Sequence, residues 1–467
     1  MKKFITLALL CALAALGVGC GSSNSTSNTD PQPGNVFVTG EDAPLASVVG
    51  FNVTLNSVTL NGQDNSTAEV ISSATTVDFA RLVGLRSPLA FNSVPADTYV
   101  SATFVLASPV IDYVTLTPSP TVTTVNGTFP NSQNPYSVTI NFPTPMVVGA
   151  NGLAGLRMDM DIRDSLATDG NGNLVLSNNT VAVNPVIYIK ATHASDPDGQ
   201  ISDLEGGLVS VDTSNSSFLI QGPYGRQLTV YVNGETSFNS GWTINDMAAP
   251  AFVAVQGSFQ SDGSLMASGV EVITTATSFV SGRVLAITGS GASETVTMWV
   301  GETGADMVSD VDTIQTFNIG AVNTYEICFL DGAVTDALFN EGTIEIGQRI
   351  FIGGSFVNPA FMPEMISLRR QGMFGLFVPG SVSINSGNNG SFQVSNNGLV
   401  GYSVGGPVTV NTFNFTYFFN LTGLNQLETT TAGIPLVTRG LLLKDPTSGN
   451  IEFYAGLVAT PPQTTGN

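Results

Sequence analysis

The chain has 467 residues, with 35 acidic against 14 basic side chains and a formal net charge of −21. Apolar residues make up 42% and charged ones 10%, with 50 glycines and 24 prolines, a balance that excludes both a disordered acidic tail and a helical bundle. At roughly 150 residues per domain this length holds about three domains, and its scattered arginines offer no cationic cluster for nucleic acid.

At the front, Lys2 and Lys3 precede an apolar run from Phe4 to Leu16, then Gly17, Val18, Gly19 and Cys20. Such a run is too short to span a bilayer as a helix and fits a secretory signal peptide over residues 1–19. The small residues ending at Cys20 resemble the lipobox of bacterial lipoproteins, although Gly17 stands where most lipoboxes carry Leu. That resemblance implies cleavage before Cys20 and acylation of its thiol. The alternative is an ordinary signal peptide cut near Gly19. Residues 20–35 are rich in Ser, Asn and Pro and read as a flexible tether. The expected address is the outer membrane or cell surface, with the membrane as partner through lipid and Gly21 where an inner-membrane retention Asp would stand. Loss of Lys2 and Lys3 moves the charge from −21 to −23 and leaves Lys190 and Lys444 as the remaining lysines.

From Val36 the pattern is period-two alternation broken by turn residues, which predicts an all-β chain of sandwiches and small barrels. Phe51, Val53 and Leu55 alternate, and the phase shifts before Val58 and Leu60, which predicts a bulge. Leu156, Met158, Met160 and Ile162 alternate with Arg157, Asp159, Asp161 and Arg163, a strand with one buried and one wet face. A turn-rich linker, 193–203, closes a first domain over 36–193. Beyond it come similar openings at Gly207, Gly282 and Gly380, 75 and 98 residues apart, which predict repeats over 204–275, 279–371 (with an insertion) and 375–461.

Two segments carry a resemblance. Residues 36–193, with Val77-Asp78-Phe79-Ala80-Arg81-Leu82 and Val94-Pro95-Ala96-Asp97-Thr98-Tyr99, resemble an uncharacterised β-sandwich domain found at the front of many bacterial lipoproteins. Residues 204–275 resemble an uncharacterised OB-like repeat that often accompanies it, through the Gly207 opening, Thr236-Ser237-Phe238 and the Asp262-to-Val270 hairpin. The second repeat matches in part and the third weakly. The resemblance implies an N-terminal β-sandwich followed by two or three small OB-like β-barrels, and no established activity.

Candidate chemistry is sparse. A single histidine, His193, excludes a Ser-His or Cys-His pair within this chain and a multi-histidine metal site. Asp159 and Asp161 share a strand face at a spacing that suits acid/base work, but Arg157 and Arg163 beside them argue for a solvent-face charge ladder. Asp169, Asn171 and Asn173 have the alternate oxygens of a calcium loop without its later Gly and Glu, so a plain hairpin is preferred. Glu302, Asp306, Asp310 and Asp312 read as a solvated insertion loop rather than a metal site. Cys328, the one cysteine left after Cys11 and Cys20, reads as a buried inert thiol. Phe413, Phe415, Tyr417 and Phe419 alternate with Phe418 opposite. Core packing is the default for such a stripe, and exposure would point to sugar binding. The expected role is non-catalytic binding or scaffolding in the cell envelope, with a glycan or envelope protein as partner and no cofactor. The alternative is a carboxylate-dependent glycan hydrolase or a carbohydrate-binding surface protein.

Overall fold

The computed structural model describes residues 32–461, apart from 170–171, 223–225, 240, 329–334, 358–359 and 447. The signal peptide, Cys20, Asn171 and most of the tether lie outside the described residues. The fold is all-β, and the two α-helices among the described residues are short, Ile162–Ser165 and Leu424–Thr429. None of the described helices is long and apolar enough to cross a membrane.

The first unit is a sandwich. One sheet orders Ile187–Thr192, Leu153–Asp161, Gly34–Ala43 and Ser87–Val94, with Gly34–Ala43 and Leu153–Asp161 running parallel. The facing sheet is built on the long strands Val48–Gly62 and Asp97–Thr115. Phe51, Val53, Leu55, Val58 and Leu60 are all fully buried, and the ladder shifts register between Leu55 and Ser57, where the sequence phase changes. The two sandwich motifs act locally. Asp78 accepts from the backbone of Phe51 (2.8 Å) and Ala80 (3.1 Å) and caps the turn Phe79–Leu82, while the Tyr99 hydroxyl donates to the Pro95 carbonyl at 2.8 Å.

Three units of one topology follow. In the first, the chain-order strands are Ile201–Asp212, Ser217–Gln221, Gln227–Tyr231, Ser237–Phe238, Phe252–Phe259 and Leu265–Thr274. Their spatial order is third, second, first, fifth, sixth, fourth, and the third and sixth pair in parallel to close a five-stranded barrel. The unit from Ser278 to Leu368 repeats that order, without the closing pair among the described residues. In the last unit the strands Gln371–Phe377, Asn389–Gly398, Val408–Thr412, Tyr417–Phe419, Pro435–Lys444 and Ile451–Ala459 take the same places, with a hairpin strand Ser383–Ser386 inserted. The opening at Gly380 is therefore not the start of this unit. Gln371 starts the first strand, and Gly380 lies in the turn before the inserted hairpin.

The units pack against one another closely. Phe37 and Phe91 of the sandwich stack on Phe259 of the first barrel, at 4.8 and 6.1 Å between centroids. Phe252, Phe279 and Phe351 join the first barrel to the second unit, with all three ring spacings between 4.2 and 5.1 Å. A further apolar cluster takes Val49, Val83 and Val114 from the sandwich, Leu285 and Trp299 from the second unit and Val400 from the last. At Gly84 (φ +80°) a Cβ would stand 2.2 Å from the Gly372 nitrogen, so only glycine permits this approach of sandwich to last unit. The expected linker 193–203 is also partly structural, since strand one of the first barrel begins at Ile201 and Asp198 and Asp203 are buried.

Candidate functional site

The aromatic residues of the last unit do not form the core stripe expected of them. The chain turns at Phe413, whose carbonyl accepts from the Thr416 amide, and only Tyr417–Phe419 is strand. Phe418 packs inward, whereas Phe415 is 57% and Tyr417 38% exposed. Phe413 and Phe415 lie parallel, 5.1 Å apart with 3° between planes, and Phe413 leans on Tyr454 at 6.3 Å. Tyr417 approaches Phe419 at 6.4 Å, and the Arg157 guanidinium and Lys190 ammonium lie over the Phe419 ring at 5.1 and 4.7 Å. The rings thus form two groups on the last unit, Phe413 with Phe415 and Tyr454, and Tyr417 with Phe419, the second reaching Arg157 and Lys190 of the sandwich.

The position of these rings has a local cause. Thr416 Oγ1 accepts from the Phe413 amide (2.8 Å) and donates to the Ala455 carbonyl (2.7 Å). In the first barrel Thr236 makes the same pair of bonds, with the Asn233 amide (3.0 Å) and the Ala267 carbonyl (2.8 Å). Thr416-Tyr417-Phe418 is therefore the counterpart of Thr236-Ser237-Phe238, a match that reading by overall spacing misses. In both, the second residue turns outward and the third inward, which makes Tyr417 a surface residue.

Where the second group meets the sandwich lies a recess of about 490 Å³ including its mouth, lined by Tyr417, Phe419, Asp42, Asp159, Arg157 and Arg439 among others. The supposed wet charge ladder is here, and it is not wet. Glu41, fully buried, bonds Arg157 and Arg439 and lies 3.5 Å from Arg86. Burial alone would raise the Glu41 carboxyl, but the three guanidiniums hold it well below the usual range. Burial, together with Asp159 and Asp161, pushes Asp42 well above the usual range. Burial and the Glu41 charge raise Asp159 to about 7. Asp42 Oδ2 and Asp159 Oδ1 are buried atoms without a hydrogen-bond partner. Asp161 instead accepts from the Asp164 amide and caps the helix Ile162–Ser165, and Arg163 stacks on Phe374 at 3.9 Å.

A second charged junction joins the first barrel to the second unit. Arg369, fully buried, donates to Glu205 (2.9 Å), Glu271 (2.8 Å) and Asp203 (3.2 Å), and Arg349 also bonds Glu205. Burial and Glu205 raise Asp203 to about 6. Cys328 is buried with its thiol 3.6 Å from Glu271, and burial pushes that thiol up.

The other candidates disperse. Asp306 and Asp312 are exposed, Asp310 is half-buried and bonds Gln315, and Asp312 lies 3.8 Å from Arg81. Glu302 does not join their loop. It faces a recess between units, where burial raises its carboxyl to about 7. Asp169 accepts from the Asn173 amide at 2.9 Å, inside a turn. Among the described residues no group of three or more His, Cys, Asp or Glu is placed to hold a metal ion.

Residues 34–178 match the family model of a domain of unknown function, DUF4382. That match covers most of the sandwich and ends before its edge strand Ile187–Thr192. A search of the curated proteins finds no match.

Proposed function

We propose that the protein is a lipid-anchored, non-catalytic protein of the cell envelope that binds glycan on the rings of Phe413, Phe415, Tyr417 and Phe419. The observation that carries this reading is the exposure of Phe415, stacked on Phe413, and of Tyr417, which with Phe419 lines a recess bearing charged groups. Large apolar side chains held in water invite a partner with flat apolar faces. A sugar ring has such faces, made of C–H groups, and a hydroxyl edge that Asp159, Arg157 and Lys190 can bond. The chain's acidic balance, with Arg86, Arg283, Arg369 and Arg439 buried, suits a neutral ligand on this outer surface better than an anionic one. The anchor at Cys20 and the tether to residue 35 are the grounds for the envelope address.

The test is calorimetric titration of the chain from residue 32 with cellohexaose, chitohexaose and soluble peptidoglycan fragments. Binding of one of them, weakened about tenfold or more (1.4 kcal/mol) in Phe415→Ala with Tyr417→Ala at unchanged melting temperature, supports the reading. No binding, or binding indifferent to both substitutions, removes it. Cleavage of a probe by the unaltered chain but not by Asp159→Asn would instead carry a carboxylate-dependent hydrolase, the rival favoured by Asp42 and Asp159 lining one recess.

A further inference from the structure

The larger recess lies where all four units meet. It spans about 700 Å³ including its mouth, and its walls are Val49, Leu82 and Leu85 of the sandwich, Trp299 and Arg283 of the second unit, and Val400 of the last. Apolar side chains with a few charged groups among them, here Asp203, Glu205, Glu302 and Arg283, are the usual lining of a small-molecule site.

Arg283 sets this recess apart. The residue is 5% exposed, and its one hydrogen bond among the described residues runs from Nη1 to the neutral Gln371 Oε1 at 3.0 Å. Gln371 is itself committed to the Arg349 amide (2.6 Å) and the Gly347 carbonyl (3.1 Å). The other buried arginines at the seams, Arg86, Arg157, Arg349, Arg369 and Arg439, each lie within ion-pair distance of a carboxylate, and Arg283 does not. Glu205 attracts Arg283 from beyond contact distance and Arg349 repels it, so among the described residues this buried guanidinium lacks a contact counter-ion, a costly state that an anion would relieve. Glu302, at the same recess, is an indifferent rival for that role, since burial favours its neutral acid and Arg81 rather than Arg283 is the first cation to act on it.

We infer that this recess binds a small organic monocarboxylate with an apolar body, its carboxylate on the Arg283 guanidinium and its body against the Trp299 indole and the Leu82 and Leu85 side chains. Arg283 presents a fork that matches the two oxygens of a carboxylate. The neighbouring acids, Asp203 and Glu205, are engaged by Arg349 and Arg369 and leave Arg283 to the ligand. This site is separate from the aromatic groups of the last unit and stands without the glycan reading.

Trp299 reports on it directly, since the chain has two tryptophans and Trp242→Phe isolates its fluorescence. The full chain carrying that substitution is titrated with benzoate and, as uncharged control, benzamide. The expected result is a saturable change in Trp299 emission with benzoate and an affinity at least about tenfold weaker for benzamide. Arg283→Gln is expected to lower benzoate affinity by at least about tenfold. Gly301→Phe keeps Arg283 but fills the recess: the nearest atoms to a Cβ there belong to Arg81 and Ser281, at 3.7 Å or beyond. It is expected to abolish the response and serves should Arg283→Gln fail to fold. Equal responses to benzoate and benzamide, no saturable response, or benzoate binding unchanged in Gly301→Phe would overturn the assignment.

Discussion

Glu41 is the residue on which the seam between sandwich and last unit turns, and Glu41→Gln tests that directly. Its carboxylate is wholly buried, with Oε1 on Arg157 and Oε2 on Arg439 and near Arg86. At an effective dielectric of about 20, each such attraction is worth about 4 kcal/mol before desolvation. Desolvation offsets most of that sum, but removal of the one anion leaves three guanidiniums facing one another. Breaking a buried pair this way costs about 3–5 kcal/mol, against about 0–1 for a surface pair. Urea unfolding of the two variants Glu41→Gln and Arg439→Gln and of their double mutant reads the effect. The double is expected to cost at least about 1 kcal/mol less than the sum of the singles, because each single mutation already breaks the contact. Because the Glu41 carboxyl is held below its ordinary 4.5, the stability it brings is present above that pH and is lost as pH falls through and below it. A cost for Glu41→Gln under about 1 kcal/mol at pH 7, or strictly additive singles, would refute the argument that this seam is held by charge.

Asp159 carries the opposite sign. Its carboxyl sits at about 7 against an ordinary 3.8, so the unfolded chain ionises first and stability is lost as pH rises between those values. Asp159→Asn is therefore expected to gain on the unaltered chain from pH 4 to pH 8, by a few kcal/mol at most, and unfolding curves at the two pH values decide it. Arg369→Met removes the guanidinium that bonds Asp203, Glu205 and Glu271 together. The expected cost is about 3–5 kcal/mol, smaller at pH 5 than at pH 8 because the stranded carboxylates can then take up protons; an equal cost at both would contradict the assignment. Cys328, buried with a raised pKa, should react with maleimide at least about 100-fold more slowly in the native chain than in urea, as intact mass measures. Labelling at similar rates would show that the thiol is accessible.

The sequence alone determined the all-β class, the sandwich with its bulge near Asn56, and the first barrel. Each of these rests on local signals: alternation, turn residues and short motifs such as Thr236-Ser237-Phe238. The last unit was weakly legible because the inserted hairpin Ser383–Ser386 displaces its spacing, although Thr416-Tyr417-Phe418 keeps the motif. Tertiary structure alone decided which charges are wet. Arg157 and Asp159 alternate with apolar residues as a solvent face does, yet the last unit covers that face and turns it into a seam. Strand period says which side chains share a face, and only the packing of distant segments says what lies against it. For the same reason Glu41 and Arg439, 398 positions apart, become one ion pair, and Phe415 and Tyr417, hydrophobic enough for a core, stay exposed because the packing of the described units leaves them uncovered.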